Sequence, residues 1–324
     1  MELVYPESAA ERDRWIVARR PVRAMVNAHE PYAYFVEDEY AADGEVWPVV
    51  TVFLTNRECP FRCTMCDLWR NTLEASVPAG AIPAQIDFAL ERLPQARAVK
   101  LYNSGSFFDP RAIPVEDYAA IAVRVRGFER VIVECHPAFV GQHCVEFRDL
   151  LAGRLEVAMG LETAHLEVLA KLNKRMTLEQ FAAAGEFLRS NEMDLRVFIL
   201  VQPPFMRPEE SLHWAQRSLD FAFDCRATAA TLIPTRDGNG AMEALAVSGA
   251  FTPPNLSTLE ATAEYGLELE RGRVFTDLWD VKRGGECAVC FDARLERLRA
   301  MNLEQRVLDE VRCAACGGRV ERAV

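Results

Sequence analysis

The chain has 324 residues, room for one large domain or two modest ones. Half of the residues are hydrophobic and 26% are charged, the balance of a soluble globular protein with a sizeable core. Asp and Glu (48) outnumber Lys and Arg (37), and the net charge of −11 excludes a bulk basic surface for nucleic acid while leaving room for a local basic groove.

No apolar run is long enough to cross a bilayer, and the start, Met1-Glu2-Leu3-Val4-Tyr5-Pro6, is no signal peptide, so the expected location is the cytoplasm, away from membranes. In that reducing compartment ten cysteines point to metal or redox chemistry rather than disulfides. Cys59, Cys63 and Cys66 form C-x3-C-x2-C, and Cys287/Cys290 and Cys313/Cys316 form two C-x2-C pairs. Cys135, Cys144 and Cys225 stand alone and read as small buried hydrophobes.

The first 45 residues hold a helix from Ala10 to about Arg20, followed by a polar and aromatic stretch (Glu30 to Phe35) without a clear period. Apolar or β-branched runs then predict strands over 49–54, 98–102, 130–134, 155–159, 195–201 and 229–233. Amphipathic stretches between them predict helices over 82–92, 115–126, 145–151, 178–189 and 209–221, with Thr177 and Gln180 spaced as a capping box. Such alternation indicates an α/β fold with a parallel sheet and right-handed crossovers, either an open doubly wound sheet or part of a (β/α) barrel.

Beyond Gly240 the pattern changes. A Pro-rich turn (Thr252 to Asn255) precedes a helix near 258–270, a short strand and the paired cysteines. The expected organisation is an N-terminal extension (1–45), a β/α core (46–240) and a small Cys-rich extension (241–324).

The predicted strand over 49–54 runs directly into Thr55-Asn56-Arg57-Glu58-Cys59-Pro60-Phe61-Arg62-Cys63-Thr64-Met65-Cys66. In a parallel α/β fold, chemistry sits beyond the C-terminal ends of the strands, where this loop falls. Three close cysteines without a fourth ligand suit neither a closed zinc site nor a ferredoxin. They do suit a [4Fe–4S] cluster with one iron left open to a chelating ligand; the alternative is a zinc or structural iron–sulfur site with a distant fourth ligand.

The spacing and its place after the first strand of a β/α array resemble the radical S-adenosylmethionine (SAM) superfamily. The resemblance implies a partial (β/α)6 TIM-like barrel in which SAM chelates the open iron. One-electron reduction, by reduced flavodoxin or ferredoxin, then cleaves SAM to a 5′-deoxyadenosyl radical that abstracts hydrogen from substrate. Met65 stands where many members carry an aromatic residue near adenine.

Asn103-Ser104-Gly105-Ser106 follows the second predicted strand, where the superfamily often has a Gly-Gly-Glu-like turn for the methionine amino group; the acidic residue is missing, and an ordinary βα turn is the alternative. Glu162, at the end of the fourth strand, is expected to accept hydrogen bonds from SAM, with a salt bridge to a neighbouring loop as the alternative. Glu134 and His136 face the same mouth, Glu134 toward SAM or substrate and His136 as a buried, hydrogen-bonded residue.

A narrower resemblance, spanning about residues 50 to 260, is to the radical SAM subunit of archaeosine synthase and its relatives. It is carried by 101–110, 131–134, 156–163, Leu172-Asn173-Lys174 and Gln202-Pro203-Pro204-Phe205. It implies a partner subunit and C–N bond cleavage on a modified tRNA base; a small-molecule substrate is the alternative within the chemistry. From another class, the competing reading is a non-catalytic RNA-interaction module with zinc at both cysteine sites.

Cys287, Cys290, Cys313 and Cys316, with 22 residues between the pairs, suit a four-cysteine zinc site or an auxiliary [4Fe–4S] cluster. Gly317-Gly318 suits a knuckle turn, and 291–311 reads as a helix that the clamp would tie at both ends. Arg12, Arg14, Arg19, Arg20 and Arg23 form a basic patch that reads as a solvated helix face, with an anionic partner as the alternative. Arg294, Arg297 and Arg299 read as a solvent face, and Trp69, Phe107 and Phe108 as packing.

Overall fold

A computed structural model describes residues 5–317; Met1–Val4 of the start and Gly318 of the terminal Gly-Gly lie outside the described residues. Helix α1 (Ala9–Val17) is capped by the Ser8 hydroxyl, which accepts the Glu11 N–H. It leads to an antiparallel hairpin, β1 (Ala33–Tyr40) and β2 (Val46–Phe53), that turns at Gly44 with φ of 88°.

From β2 onward every strand pairing is parallel: β3 (Ala98–Tyr102), β4 (Arg130–Glu134), β5 (Arg154–Glu162), β6 (Asp194–Val201), β7 (Ala229–Pro234) and β8 (Arg273–Thr276). Helices α2 (Ala81–Leu90), α3 (Tyr118–Val125), α4 (Gln142–Leu150), α5 (Leu166–Lys171), α6 (Leu178–Ser190), α7 (Ser211–Asp224), α8 (Ala241–Val247) and α9 (Leu256–Glu268) fill the connections. The single sheet runs β1 to β8 in chain order. Its two edge strands do not pair with each other, and α10 (Phe291–Glu304) packs against both.

The fold is therefore the expected partial β/α barrel, widened by two strands. The six predicted strands correspond to β2 through β7. The four-residue β8 is the short strand expected after the helix near 258–270, and the antiparallel β1 comes from before the boundary expected at 45. The predicted box at Thr177 forms: its hydroxyl accepts the Gln180 N–H, and Gln180 Oε1 accepts the Thr177 N–H at 2.9 Å. None of the described helices is long and apolar enough to cross a membrane.

Alternation along the strands sorts the side chains into two environments. Val50, Val52, Leu101, Val133, Val157, Met159, Val197 and Leu232 face the helices and form the main core. The opposite face carries charge at its lower end. Arg196 on β6 is 2% exposed and grips Glu39 of β1 and Glu156 of β5, each at 2.5 Å. Lys100 on β3 adds ion pairs to Glu37 and Glu39, while Arg130 and Arg273 reach Glu156. This ionic layer floors the barrel and leaves its other end, where the strand C-termini lie, as the mouth.

Two surface readings change. Arg294 and Arg297 are not a solvent face: they bind Glu260 and Glu264 of α9, and Arg297 also donates to the Leu308 carbonyl. In the N-terminal basic patch, Arg20 and Arg23 are not solvated; both bind Glu58, at 2.7 and 2.5 Å. Arg12 donates to the carbonyls of Pro6 and Ala170, and Arg19 lies over the Trp15 ring. Trp69, Phe107, Phe108, Cys135 and Cys144 are buried as expected, whereas Cys225 is half-buried.

Candidate active site at the barrel mouth

The loop that follows β2 is held at both ends. Gln85 of α2 accepts the Thr55 N–H through Oε1 and donates from Nε2 to the Thr55 carbonyl, both at 2.7 Å. Further along, the Thr64 N–H donates to the Leu172 carbonyl, and Asn173 Nδ2 donates to the Arg62 carbonyl at 2.7 Å. Asn239 Nδ2 donates to the carbonyls of Thr64 and Cys66, while its Oδ1 caps α8 by accepting the Met242 N–H. Asn173 and Asn239 thus fix the cysteine loop through its backbone and leave the thiols free.

Cys59, Cys63 and Cys66 lie close enough to raise one another's thiol pKa electrostatically, and burial pushes each up to about 12. A metal centre bound there has to displace three protons. Lys174 supplies the countervailing positive charge beside Cys59 and Cys63.

The turn after β3 packs directly on the first cysteine: a Cβ placed on Gly105 would lie 3.2 Å from Cys59 Cβ. Ser104 adopts φ of 53°, and its hydroxyl meets the Tyr32 hydroxyl at 3.0 Å. Asn103 is fully buried, yet among the described residues neither its Oδ1 nor its Nδ2 has a hydrogen-bond partner. A buried amide left unpaired costs about 1–3 kcal/mol, so this one is suited to a polar ligand. Glu134 accepts the Asn103 N–H at 3.2 Å, and burial raises its carboxyl pKa to about 7.

His136 has the structural role expected of it. Its Nδ1 accepts the Ala138 N–H at 3.1 Å, so Nε2 carries the proton toward the Lys174 carbonyl at 2.9 Å. Burial lowers its pKa to about 3, and Phe61 of the cysteine loop stacks on the ring at 3.9 Å. The neutral imidazole is thus a platform for the loop.

Glu162 closes the far side. It sits at a β-bulge with φ of 67°, and Lys174 donates to its Oε1 at 2.5 Å. Both partners are buried. Gly160 makes this possible, because a Cβ there would collide with the Glu162 carboxylate and the Lys174 ammonium. The salt bridge weighed against a SAM contact is formed, with Lys174 as the partner of one carboxylate oxygen.

No family model matches the chain. It is 26% identical over 260 residues to the archaeosine synthase subunit beta of Methanosarcina acetivorans, covering 76% of this chain and 75% of that protein. It is 24% identical over 300 residues to an uncharacterized protein of Methanocaldococcus jannaschii, covering 85% and 82%. Among solved structures, the coproporphyrinogen III oxidase of Escherichia coli, a radical SAM enzyme, aligns at a TM-score of 0.41 with 13% identity, over 80% of this chain and just 55% of that one.

A second cysteine group lies at the N-terminal end of α10. Cys287 and Cys313 place their sulfurs 3.9 Å apart, Cys290 and Cys316 theirs 3.8 Å apart, and all four lie within 4.8 Å of one another. Cys290 stands at the N-cap of α10, and backbone N–H groups of Ala315 and Cys316 hold the Cys313 thiol down to about 7. Among the described residues this is the only group of three or more potential ligands drawn so close.

Glu58, Asn173, Lys174 and Asn239 are site-building residues whose roles the sequence did not disclose. Leu172-Asn173-Lys174 stood out as a segment, but its contacts to residues 62–64 and 162 depend on chain crossings that no local pattern reports.

Proposed function

We propose that the chain is a radical SAM enzyme whose [4Fe–4S] cluster is held by Cys59, Cys63 and Cys66. The observation that carries this reading is the packing of the three-cysteine loop, at the C-terminal end of β2, directly against a turn whose buried Asn103 side-chain amide has no partner among the described residues. When bound, the reduced cluster supplies an electron to SAM and so the 5′-deoxyadenosyl radical that takes hydrogen from substrate, with reduced flavodoxin or ferredoxin as the electron source. Asn103–Ser106 and Glu134 offer backbone and carboxylate groups for the methionine end of SAM. Glu162 can exchange its Lys174 contact for a SAM amino or hydroxyl group, while Lys174 keeps positive charge beside the thiolates.

Substrate chemistry follows the relative. Similarity to an archaeosine synthase subunit favours C–N bond cleavage on a modified tRNA base together with a partner subunit. The acidic overall charge favours the alternative of a small-molecule intermediate.

The terminal cysteines fit one zinc ion better than an auxiliary cluster. A tetrahedral ion with zinc–sulfur bonds of about 2.3 Å needs sulfurs about 3.8 Å apart. A cubane binds each sulfur to a different iron, which spreads them to about 6 Å. The 3.8 and 3.9 Å pairs and the 4.8 Å limit match the single ion.

Metal and sulfide analysis of anaerobically reconstituted protein, with a dithionite-driven assay for 5′-deoxyadenosine, tests both assignments. About four irons and one zinc per chain are expected, with nucleoside formed. About eight irons would make the terminal group a cluster; no iron and no nucleoside would overturn the radical reading. A second expected result concerns Gly160→Ala. The new methyl displaces the Glu162 carboxylate and the Lys174 ammonium and disturbs a buried ion pair, so the thermal midpoint should fall and SAM affinity should drop by roughly tenfold. Unchanged SAM binding would remove Glu162 from the site.

A further inference from the structure

A cleft of about 340 Å³ opens on the cysteine loop itself, walled by Arg23, Arg57, Arg62 and Arg111 together with Glu58 and Glu74. Its charges do not cancel. Glu58 is consumed by Arg20, Arg23 and Arg62 at 2.7, 2.5 and 3.1 Å. Arg111 leans on Asp109 at 3.1 Å but keeps half of its side chain exposed. Arg57 has no ion pair and no side-chain hydrogen bond among the described residues, and neither has Glu74.

The walls therefore carry a surplus of guanidinium charge on a chain whose net charge is −11. Guanidinium groups bind the oxygens of phosphates in pairs of parallel hydrogen bonds, and a concave wall focuses their field. Arg57 and Arg62 bracket Cys59 in the sequence, so an anion held here lies beside the reaction centre rather than on a remote face.

We infer that this cleft is a phosphate-binding subsite that anchors the anionic part of the substrate next to the cysteine loop. As a substrate anchor it rests on the radical SAM reading; as an anion site it stands on the cleft alone. The phosphate comes either from a nucleic-acid backbone or from a small phosphorylated molecule, and the chemistry of recognition is shared.

The test is a calorimetric titration of inorganic pyrophosphate into the intact chain, without reductant or SAM. Binding should weaken by roughly tenfold in the Arg57→Ala/Arg111→Ala double variant and be partly regained with lysine at both positions. No binding to the unaltered chain, or equal binding to the double variant, overturns the inference. Bulk tRNA titrated in parallel separates the sources. If the double variant also weakens tRNA binding and lowers its salt slope by about two, the backbone is the anion. Pyrophosphate binding without tRNA binding assigns a small phosphorylated substrate. Formation of 5′-deoxyadenosine by the unaltered chain, measured separately, reports on the radical reading, so the two can fail independently.

Discussion

Alanine at Cys59, Cys63 or Cys66 is expected to reduce dithionite-driven 5′-deoxyadenosine formation to background and to leave metal binding at the four terminal cysteines unchanged. In the proposed cluster each thiol would supply one of three protein ligands, and Cys135 is not expected to substitute, because it is buried with its Sγ on the His136 carbonyl. The loop backbone should survive the change, because Gln85, Asn173 and Asn239 hold it through main-chain groups rather than through sulfur. Cys225→Ala is the matched control. That residue sits at the C-cap of α7, away from the mouth, and its loss should leave iron content and nucleoside formation unchanged. A Cys63→Ala protein that still bound four irons and turned over SAM would sink the assignment of the loop as the cluster site.

What the sequence discloses and what it conceals divide along physical lines. The six central strands are legible because each is a short apolar run with turn residues at its ends, and buried parallel strands look like that. Strand β1 is not, since it is an edge strand whose Glu37 and Glu39 point into the ionic floor and break the apolar signal. The strand at 273–276 is legible as the short strand expected between the helix near 258–270 and the paired cysteines. Helix α10 stops at Glu304 rather than near 311 although Leu308 continues its period. Gln305 takes φ of 49°, and its side chain exchanges two hydrogen bonds with the Val274 backbone. That partner lies 31 residues away, beyond the reach of helical pattern.

The candidate site shows the same division. The cysteines are visible by spacing, and Glu162 by its place at a strand end. The arginines of the N-terminal patch look solvated because their partner, Glu58, lies 38 and 35 residues further on. The asymmetry has a reason. Residues that touch a cofactor repeat a chemistry and so a spacing, whereas residues that hold them in place need only the right neighbour in space.

The floor of the barrel carries the largest expected stability effect. Arg196→Met should lower unfolding stability at pH 7 by about 3–5 kcal/mol, because it removes one partner of a buried charge group and leaves carboxylates without compensation. Arg196 is the hub: it alone joins Glu39 of β1 to Glu156 of β5, while Lys100 reaches only the first and Arg130 and Arg273 only the second. Arg196, Arg273 and Arg130 hold Glu156 at about 2, against an ordinary value of 4.5, despite the opposing effect of its burial. Glu39 is depressed further, by Arg196 and Lys100.

A carboxyl depressed in the folded state contributes stability that is fully present above its unfolded value and is lost as pH falls through the folded one. The floor should therefore support the fold at neutral pH and weaken from about 4.5 downward toward 2. The cost of Arg196→Met should shrink across that window, since protonated Glu39 and Glu156 no longer need the guanidinium. Urea unfolding of both proteins at pH 7 and pH 3 reads the two numbers directly, and equal midpoints at pH 7 would show that the ionic floor carries no net stability. A floor built of paired charge rather than apolar packing also keeps the lower end of the barrel closed to substrate. The mouth, with its cysteine loop and the unpaired Asn103 amide, is then left as the polar route into the interior.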